Sequence, residues 1–212
     1  MTIDERTVWI LTGGWEGHRP EAMASVLEEK LTGLGFSVVI QRDLACLADA
    51  VELRRVALVI PNWTGGHVSH AVMAPFLEAV RNGLGVAGVH GGMADTFRLE
   101  NEYHHLVGGQ FVAHPGGDGV TYDVHVLRDA HLISASIPDF VVTTEKYYMH
   151  VDSAVTVLAT TQFGDVRMPV AWVKTYGRGR VFYCTLGHDP SLLQSPPIDE
   201  FLDRGFVWAS RQ

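Results

Sequence analysis

Cysteine is nearly absent: Cys46 and Cys184 are the only two in 212 residues. They share no metal-type spacing and are too few for a disulfide framework, which suits a reducing compartment. Positive charge is scarce as well. Sixteen Lys and Arg against 24 Asp and Glu leave a formal net charge of −8, which argues against a phosphate-dominated partner such as nucleic acid. The surplus is read as a solubility feature. No apolar run approaches the ~18 residues that a spanning helix needs. Met1-Thr2-Ile3-Asp4-Glu5-Arg6 lacks a basic region followed by an apolar stretch, so no signal peptide is expected. The expected setting is the cytoplasm, with neither membrane nor nucleic acid as a partner. Charged residues make up only 19% of the chain and hydrophobic ones 47%, enough apolar surface to bury a sizeable core. The length fits one domain over residues 1–212.

What the chain has in quantity is glycine, 22 residues, and histidine, 11 residues. The first half alternates. A short apolar strand over 8–11 precedes a helix over 21–34 that keeps Ala22, Val26, Leu27, Leu31 and Leu34 on one face. Gly33 and Gly35 close it, a strand follows over 36–40, and 56–60 is a continuous apolar strand after an irregular stretch with room for a short helix. Val72, Met73, Phe76, Leu77 and Val80 repeat at helical spacing before a buried strand that ends in His90. Glycines and a helix over 93–99 come next. Apolar strands alternating with amphipathic helices imply a parallel sheet covered on both faces.

The second half reads differently. Segments 119–127, 154–160, 170–175 and 181–185 look like strands, and Tyr176-Gly177-Arg178-Gly179 is a tight turn joining two antiparallel ones. A closing helix over 198–209 turns Ile198, Phe201, Leu202, Phe206 and Ala209 inward. The expected fold is α/β, with a mostly parallel sheet and an antiparallel extension.

In an open α/β sheet, ligands bind beyond the carboxyl ends of the strands. Four such ends run into a histidine: Thr12-Gly13-Gly14-Trp15-Glu16-Gly17-His18, Pro61-Asn62-Trp63-Thr64-Gly65-Gly66-His67, Gly88-Val89-His90, and Gly187-His188-Asp189. The turn at His90 has the form of the strand-to-helix elbow that presents a Ser or Cys nucleophile in hydrolases. Here its apex is an imidazole. Converging imidazoles suit a divalent metal such as zinc when a carboxylate joins them, and the same groups can act as acid and base without a metal.

Glu145 is the carboxylate candidate, since it lies among polar and aromatic residues in a loop. The expected metal ligands are His18, His90, Glu145 and His188, with zinc favoured. The expected catalytic groups are His90, Glu145, His188 and Tyr147. Trp15, Trp63, Tyr147 and Tyr148 offer an aromatic wall for a sugar ring, and Trp15, Asn62, Trp63, His114 and Asp189 are the expected substrate contacts. His67 and His70 are expected to start the helix after the third strand, and His104, His105, His125 and His131 to be structural or exposed. The segment 12–17 is not GxGxxG and no GK[ST] follows it, so no nucleotide cofactor is expected.

These segments together resemble a known family. Thr12-Gly13-Gly14 with His18-Arg19, Gly88-Val89-His90-Gly91-Gly92, Val107-Gly108-Gly109-Gln110-Phe111 with His114-Pro115, and Gly177-Arg178-Gly179-Arg180-Val181 with Gly187-His188-Asp189 are similar, in that order, to the ThuA-like, or trehalose-utilisation, family. Thr144-Glu145-Lys146-Tyr147 is similar to its Asp-Glu-x-Tyr segment, with Thr144 in place of the first acid. The resemblance runs from about residue 7 to 209.

It implies a flavodoxin-like three-layer sandwich of the class I glutamine amidotransferase type. In that type a Cys stands at the elbow and a His-Pro-Glu segment near the chain's end, where this chain has His90 and His188-Asp189-Pro190. Neither cysteine occupies the elbow, so thiolate-driven glutamine hydrolysis is not expected. The resemblance further implies a role in disaccharide catabolism beside a sugar oxidoreductase that makes 3-keto sugars. The expectation is an enzyme acting on a sugar or keto-sugar, by isomerisation, elimination or hydrolysis, through a His/Glu metal or acid–base site. The alternative is a non-catalytic sugar- or effector-binding domain that keeps the cleft. A homo-oligomer is compatible with such a fold.

Overall fold

The computed structural model describes residues 6–211. Met1 to Glu5 and Gln212 lie outside the described residues, and with them most of the stretch on which the signal-peptide expectation rests. In chain order the elements are β1 (Thr7–Gly14), α1 (Pro20–Gly33), β2 (Ser37–Gln41), α2 (Ala50–Leu53), β3 (Leu58–Thr64), α3 (His70–Arg81), β4 (Gly85–Val89), α4 (His90–Ala94) and α5 (Asn101–Val107). Then come β5 (Gly109–Ala113), β6 (Val120–Val126), β7 (Phe140–Thr144), β8 (Tyr148–Val151), β9 (Thr156–Phe163), β10 (Val166–Tyr176), β11 (Gly179–Cys184) and α6 (Ile198–Ala209). Short 3-10 turns cover Glu16–His18, Leu44–Ala48 and Pro190–Gln194.

The main sheet has nine strands in the order β2-β1-β3-β4-β11-β10-β9-β6-β7. From β2 to β11 neighbours pair in parallel, the 2-1-3-4-5 order of doubly wound sheets with β11 as the fifth strand. From β11 onward the pairing is antiparallel. β5 and β8 form a separate antiparallel pair.

The period-2 geometry of a strand decides which helix each residue meets. Along β1, Val8 and Ile10 enter the core formed with Met23, Leu27 and Leu31 of α1 and with Phe201, Leu202 and Phe206 of α6. Trp9 and Leu11 enter the opposite core, with Met73, Phe76, Leu77 and Val80 of α3 and with Tyr103 and Leu106 of α5. Helices therefore cover both faces, and the mixed α/β fold expected from the sequence is present. Among the described residues no helix is long and apolar enough to cross a membrane.

Three details differ from the sequence reading. The helix expected over 93–99 instead begins at His90 itself and ends at Ala94, so Gly91 and Gly92 lie within it. Phe97 then takes a left-handed φ of 49°, incompatible with a continuing helix. The strands β5, β7 and β8 are additional.

Candidate functional site

The carboxyl ends of β1, β3, β4 and β11 bring their following segments to one rim, and the loop between β7 and β8 meets them there. His90 is the first residue of α4, directly after β4, and has φ 49°. Such left-handed backbone is unfavourable for a residue with a Cβ, by roughly 1–3 kcal/mol. Two buried bonds hold it: Tyr183 Oη donates to the His90 carbonyl at 3.0 Å, and His90 Nδ1 donates to the Thr185 carbonyl at 2.8 Å.

The glycines that follow have a packing reason. A Cβ on Gly91 would lie 2.5 Å from His18 Cε1, and one on Gly92 would lie 3.1 Å from Asn62 Cα. Glycine at 91 lets the His18 ring reach the elbow, and glycine at 92 lets α4 lie close against β3.

The 3-10 turn after β1 delivers His18, whose Nδ1 pairs with the Thr64 hydroxyl at 2.7 Å. The loop after β11 delivers His188. The three imidazoles form a triangle, with ring centroids 4.9 Å apart for His18 and His90, 5.4 Å for His18 and His188, and 5.3 Å for His90 and His188. Glu145 closes it. Its Oε2 lies 3.1 Å from His90 Nε2 and 3.5 Å from His188 Nδ1, and its backbone carbonyl accepts from Tyr122 Oη at 3.1 Å. Tyr147 stacks on His90 at 4.2 Å and donates its hydroxyl to His90 Nε2 at 2.8 Å. One ligand-type atom from each of His18, His90, Glu145 and His188 lies within 4.8 Å of the other three.

The protonation states follow from the surroundings. Burial, then the nearby rings of His90 and His188, hold His18 down at about 4. Burial likewise lowers His90, against the pull of Glu145 and of the Thr185 carbonyl. Both rings are therefore neutral at pH 7. Burial pushes the Glu145 carboxyl upward, yet His90, with smaller contributions from His188 and His114, holds it below the usual carboxylate range. Burial followed by the Glu145 charge pushes the Tyr147 phenol far up, so it is a proton donor at neutral pH. Glu145 Oε2 and His188 Nδ1 are buried and lack hydrogen-bond partners, a costly arrangement for polar atoms.

A cavity of about 340 Å³ opens beside the cluster, with Trp15, His18, His114 and Tyr147 in its wall. This is at the small end of the range for small-molecule sites. Trp15 stands 59% exposed at its mouth. The wall also contains residues the sequence reading did not single out: Thr64, Asp95, Arg98 and Phe111. Arg98 Nη2 donates to Asp95 Oδ2 at 2.7 Å and its Nε lies 2.5 Å from Oδ1. Its guanidinium lies over the Phe111 ring. An acid and a base three residues apart just beyond the elbow, Asp95 and Arg98, were the sequence signal available for this wall.

Three expected substrate contacts, Asn62, Trp63 and Asp189, and the strand-end His67 lie outside the cavity wall. His67 is largely exposed and faces Glu100 at 3.7 Å, because Gly65 and Gly66, both at positive φ, turn the chain away before it. Asn62 is buried and donates its amide to the Pro20 carbonyl at 2.9 Å, so it fastens the start of α1. Trp63 packs its ring against Gly13 and Gly66 and is not in the cavity wall. Asp189 caps the 3-10 turn through Ser191 and pairs with Arg19 at 2.6 Å. Each of these three thus has a contact within the fold.

The family model for ThuA, described as trehalose utilisation, matches residues 7–209. A ThuA-like protein from Parabacteroides merdae superposes with a TM-score of 0.79 at 20% identity, covering 96% of this chain and 89% of that one. Another from Bacteroides uniformis gives 0.80 at 18% identity, covering 97% and 91%. A β-galactosidase from Bacillus circulans sp. alkalophilus gives 0.60 at 12% identity, with 97% of this chain covering 30% of the galactosidase. At such identities these likenesses concern the fold. No curated protein matches the sequence.

Proposed function

The chain belongs to the ThuA, trehalose-utilisation, family, and on that premise we propose that it is a carbohydrate-processing enzyme. Its substrate is a sugar or 3-keto sugar, and its centre is a divalent metal ion held by His18, His90, Glu145 and His188. One observation carries the metal half of this reading. His90 donates its Nδ1 hydrogen to Thr185, so its Nε2 lone pair faces the Tyr147 hydroxyl at 2.8 Å and a Glu145 carboxylate oxygen at 3.1 Å, while that oxygen and His188 Nδ1 are buried acceptors with no donor. Converging buried acceptors of this kind favour a cation among them, either a proton or a metal ion.

Neutral imidazoles with a carboxylate form a suitable donor set. Zinc sites with protein ligands about 2.0–2.1 Å from the ion are mostly four-coordinate, and four donors from the chain would fill such a shell. A substrate oxygen therefore calls for an ion that accepts five or six ligands. When bound, the ion would polarise a substrate carbonyl and stabilise enolate charge.

The chain's own residues supply the rest. A keto group acidifies its neighbouring C–H bonds, and isomerisation or elimination there needs a base and a proton donor. With Glu145 and three histidines engaged, His114 is the remaining imidazole in the cavity wall and takes the base role. Tyr147, kept protonated by burial, donates to a substrate oxygen. Trp15 covers the sugar face, and Arg98, with N–H groups beyond those given to Asp95, binds a hydroxyl. A 3-keto substrate implies a sugar oxidoreductase acting upstream, in the same cytoplasmic setting.

Elemental analysis of the purified protein and of His90→Ala tests the metal. A divalent ion near one per chain in the first and absent from the second is expected, and equal content in both refutes the site. A second, metal-free reading is favoured by the Tyr147 bond to His90 Nε2, which makes an acid–base relay. It predicts turnover of a keto-sugar that survives chelation.

A further inference from the structure

Each imidazole of the cluster has one nitrogen directed inward and one outward, and the outward partner decides which nitrogen carries the hydrogen. For His90 that partner is the Thr185 carbonyl, which must take the hydrogen, and for His18 it is the Thr64 hydroxyl, which can donate or accept. For His188 the inward atom is Nδ1, buried, unpartnered and 3.5 Å from Glu145 Oε2. Its Nε2 points the other way, toward Asp118 Oδ2 at 3.9 Å. Asp118 belongs to the connection from β5 to β6, which meets the cluster at two points. The other is His114, whose Nδ1 lies 3.8 Å from Glu145 Oε1.

The Asp118 gap is about 1 Å longer than a hydrogen bond. The side chain is 68% exposed. Gly117 and Gly119 flank it at φ 64° and 97°, with open space where a Cβ would stand.

We propose that Asp118 is the positioning residue for His188: its carboxylate accepts the Nε2 hydrogen and so leaves the Nδ1 lone pair facing Glu145 and the metal position. This deepens the metal reading above and rests on it. Charge assists it, since a carboxylate behind a ligating imidazole raises the basicity of the inward nitrogen. Asp118 touches neither metal nor substrate.

The test is metal affinity, measured with Co²⁺ and Mn²⁺ alone on metal-depleted full-length protein by competition against a chromophoric chelator. Asp118→Asn and Asp118→Ala should weaken binding about 10–100-fold, the usual effect of losing an outer carboxylate, and Asp118→Glu should recover most of it. Asp123→Asn removes one charge from an exposed position on β6 and should leave affinity unchanged. Unchanged affinity in Asp118→Asn, or an equal loss in Asp123→Asn, overturns the proposal. If the wild type binds neither ion, it is the metal reading that fails, and imidazole ¹⁵N spectra then decide the role of Asp118. A His188 Nε2–H tautomer that switches in Asp118→Asn supports it, and the same tautomer in both proteins overturns it.

Discussion

His90 Nε2 and Glu145 Oε2 face each other 3.1 Å apart as two acceptors, because the single hydrogen of the neutral ring is held by the Thr185 carbonyl. The Nε2 lone pair also takes the Tyr147 hydroxyl at 2.8 Å, so Glu145 Oε2 is the acceptor left without a donor.

Glu145→Gln tests this directly. The amide keeps the shape of the side chain and can donate to His90 Nε2, turning a repulsive contact into a hydrogen bond. The metal-free variant is expected to melt at or above the wild-type temperature while losing divalent-ion binding. Calorimetry with and without a chelator checks both. A variant that melts far lower than the chelated wild type would contradict the acceptor-against-acceptor arrangement.

Gly91→Ala separates packing from ligation. The added methyl would overlap the His18 ring, whose Cε1 lies 2.5 Å from the new carbon. Gly91 has no positive φ, so the backbone itself tolerates alanine. Overpacking is expected to cost about 1–3 kcal/mol. His18 should be displaced, with weaker ion binding but an intact far-ultraviolet spectrum. Retention of full affinity would mean that His18 does not ligate.

Acid sensitivity follows from the histidines. Burial and neighbouring rings lower His18 to about 4, and burial lowers His90, whereas an unfolded chain protonates these rings near pH 6.5. Between about pH 6.5 and 4 the unfolded state binds more protons, so stability is full above that window and falls as pH drops through it. Urea unfolding from pH 7.5 to 4.5 should show the loss, and His18→Gln should have a shallower slope. Parallel profiles for the two proteins would rule out His18 as a contributor.

Trp15 affects binding without supporting the core. It is exposed and meets the edge of His18 at 4.8 Å, so Trp15→Ala should leave the melting temperature within a degree or so. Loss of aromatic contact with a sugar face is expected to weaken binding by about 1 kcal/mol, read by titration with a keto-sugar or its parent disaccharide. Unaltered sugar affinity would place the sugar elsewhere in the cavity.

The parallel half of the fold was legible because its signals are strong and local. The spacing of Leu27 and Leu31 in α1, and of Phe76, Leu77 and Val80 in α3, marks helices that lie on a sheet. Ile198–Ala209 reads directly as α6. The short strands β5, β7 and β8 carry no such signal, since four or five residues of mixed polarity are set by their neighbours rather than by their own pattern. Gly91 and Gly92 misled the reading of α4, because glycine usually breaks a helix, whereas here it makes room for His18 and Asn62.

In the site, strand-end logic brought His18, His90 and His188 into the same candidate set, and His67, at a fourth strand end, reads as a helix-start residue. What separates His67 is the turn made by Gly65 and Gly66, a tertiary outcome. Thr64 acts through His18, a partner 46 residues away, which one-dimensional spacing does not show.

The four candidate ligands stand at positions 18, 90, 145 and 188, two in the parallel half of the chain and two in the half that carries the antiparallel strands. Neither half holds more than a pair of them. An ion gripped by all four would bind only after both halves have docked, and its binding energy would add to the cooperativity of the entire molecule. Loading would then act as a proofreading step for assembly, because a chain with either half misfolded would present no complete grip.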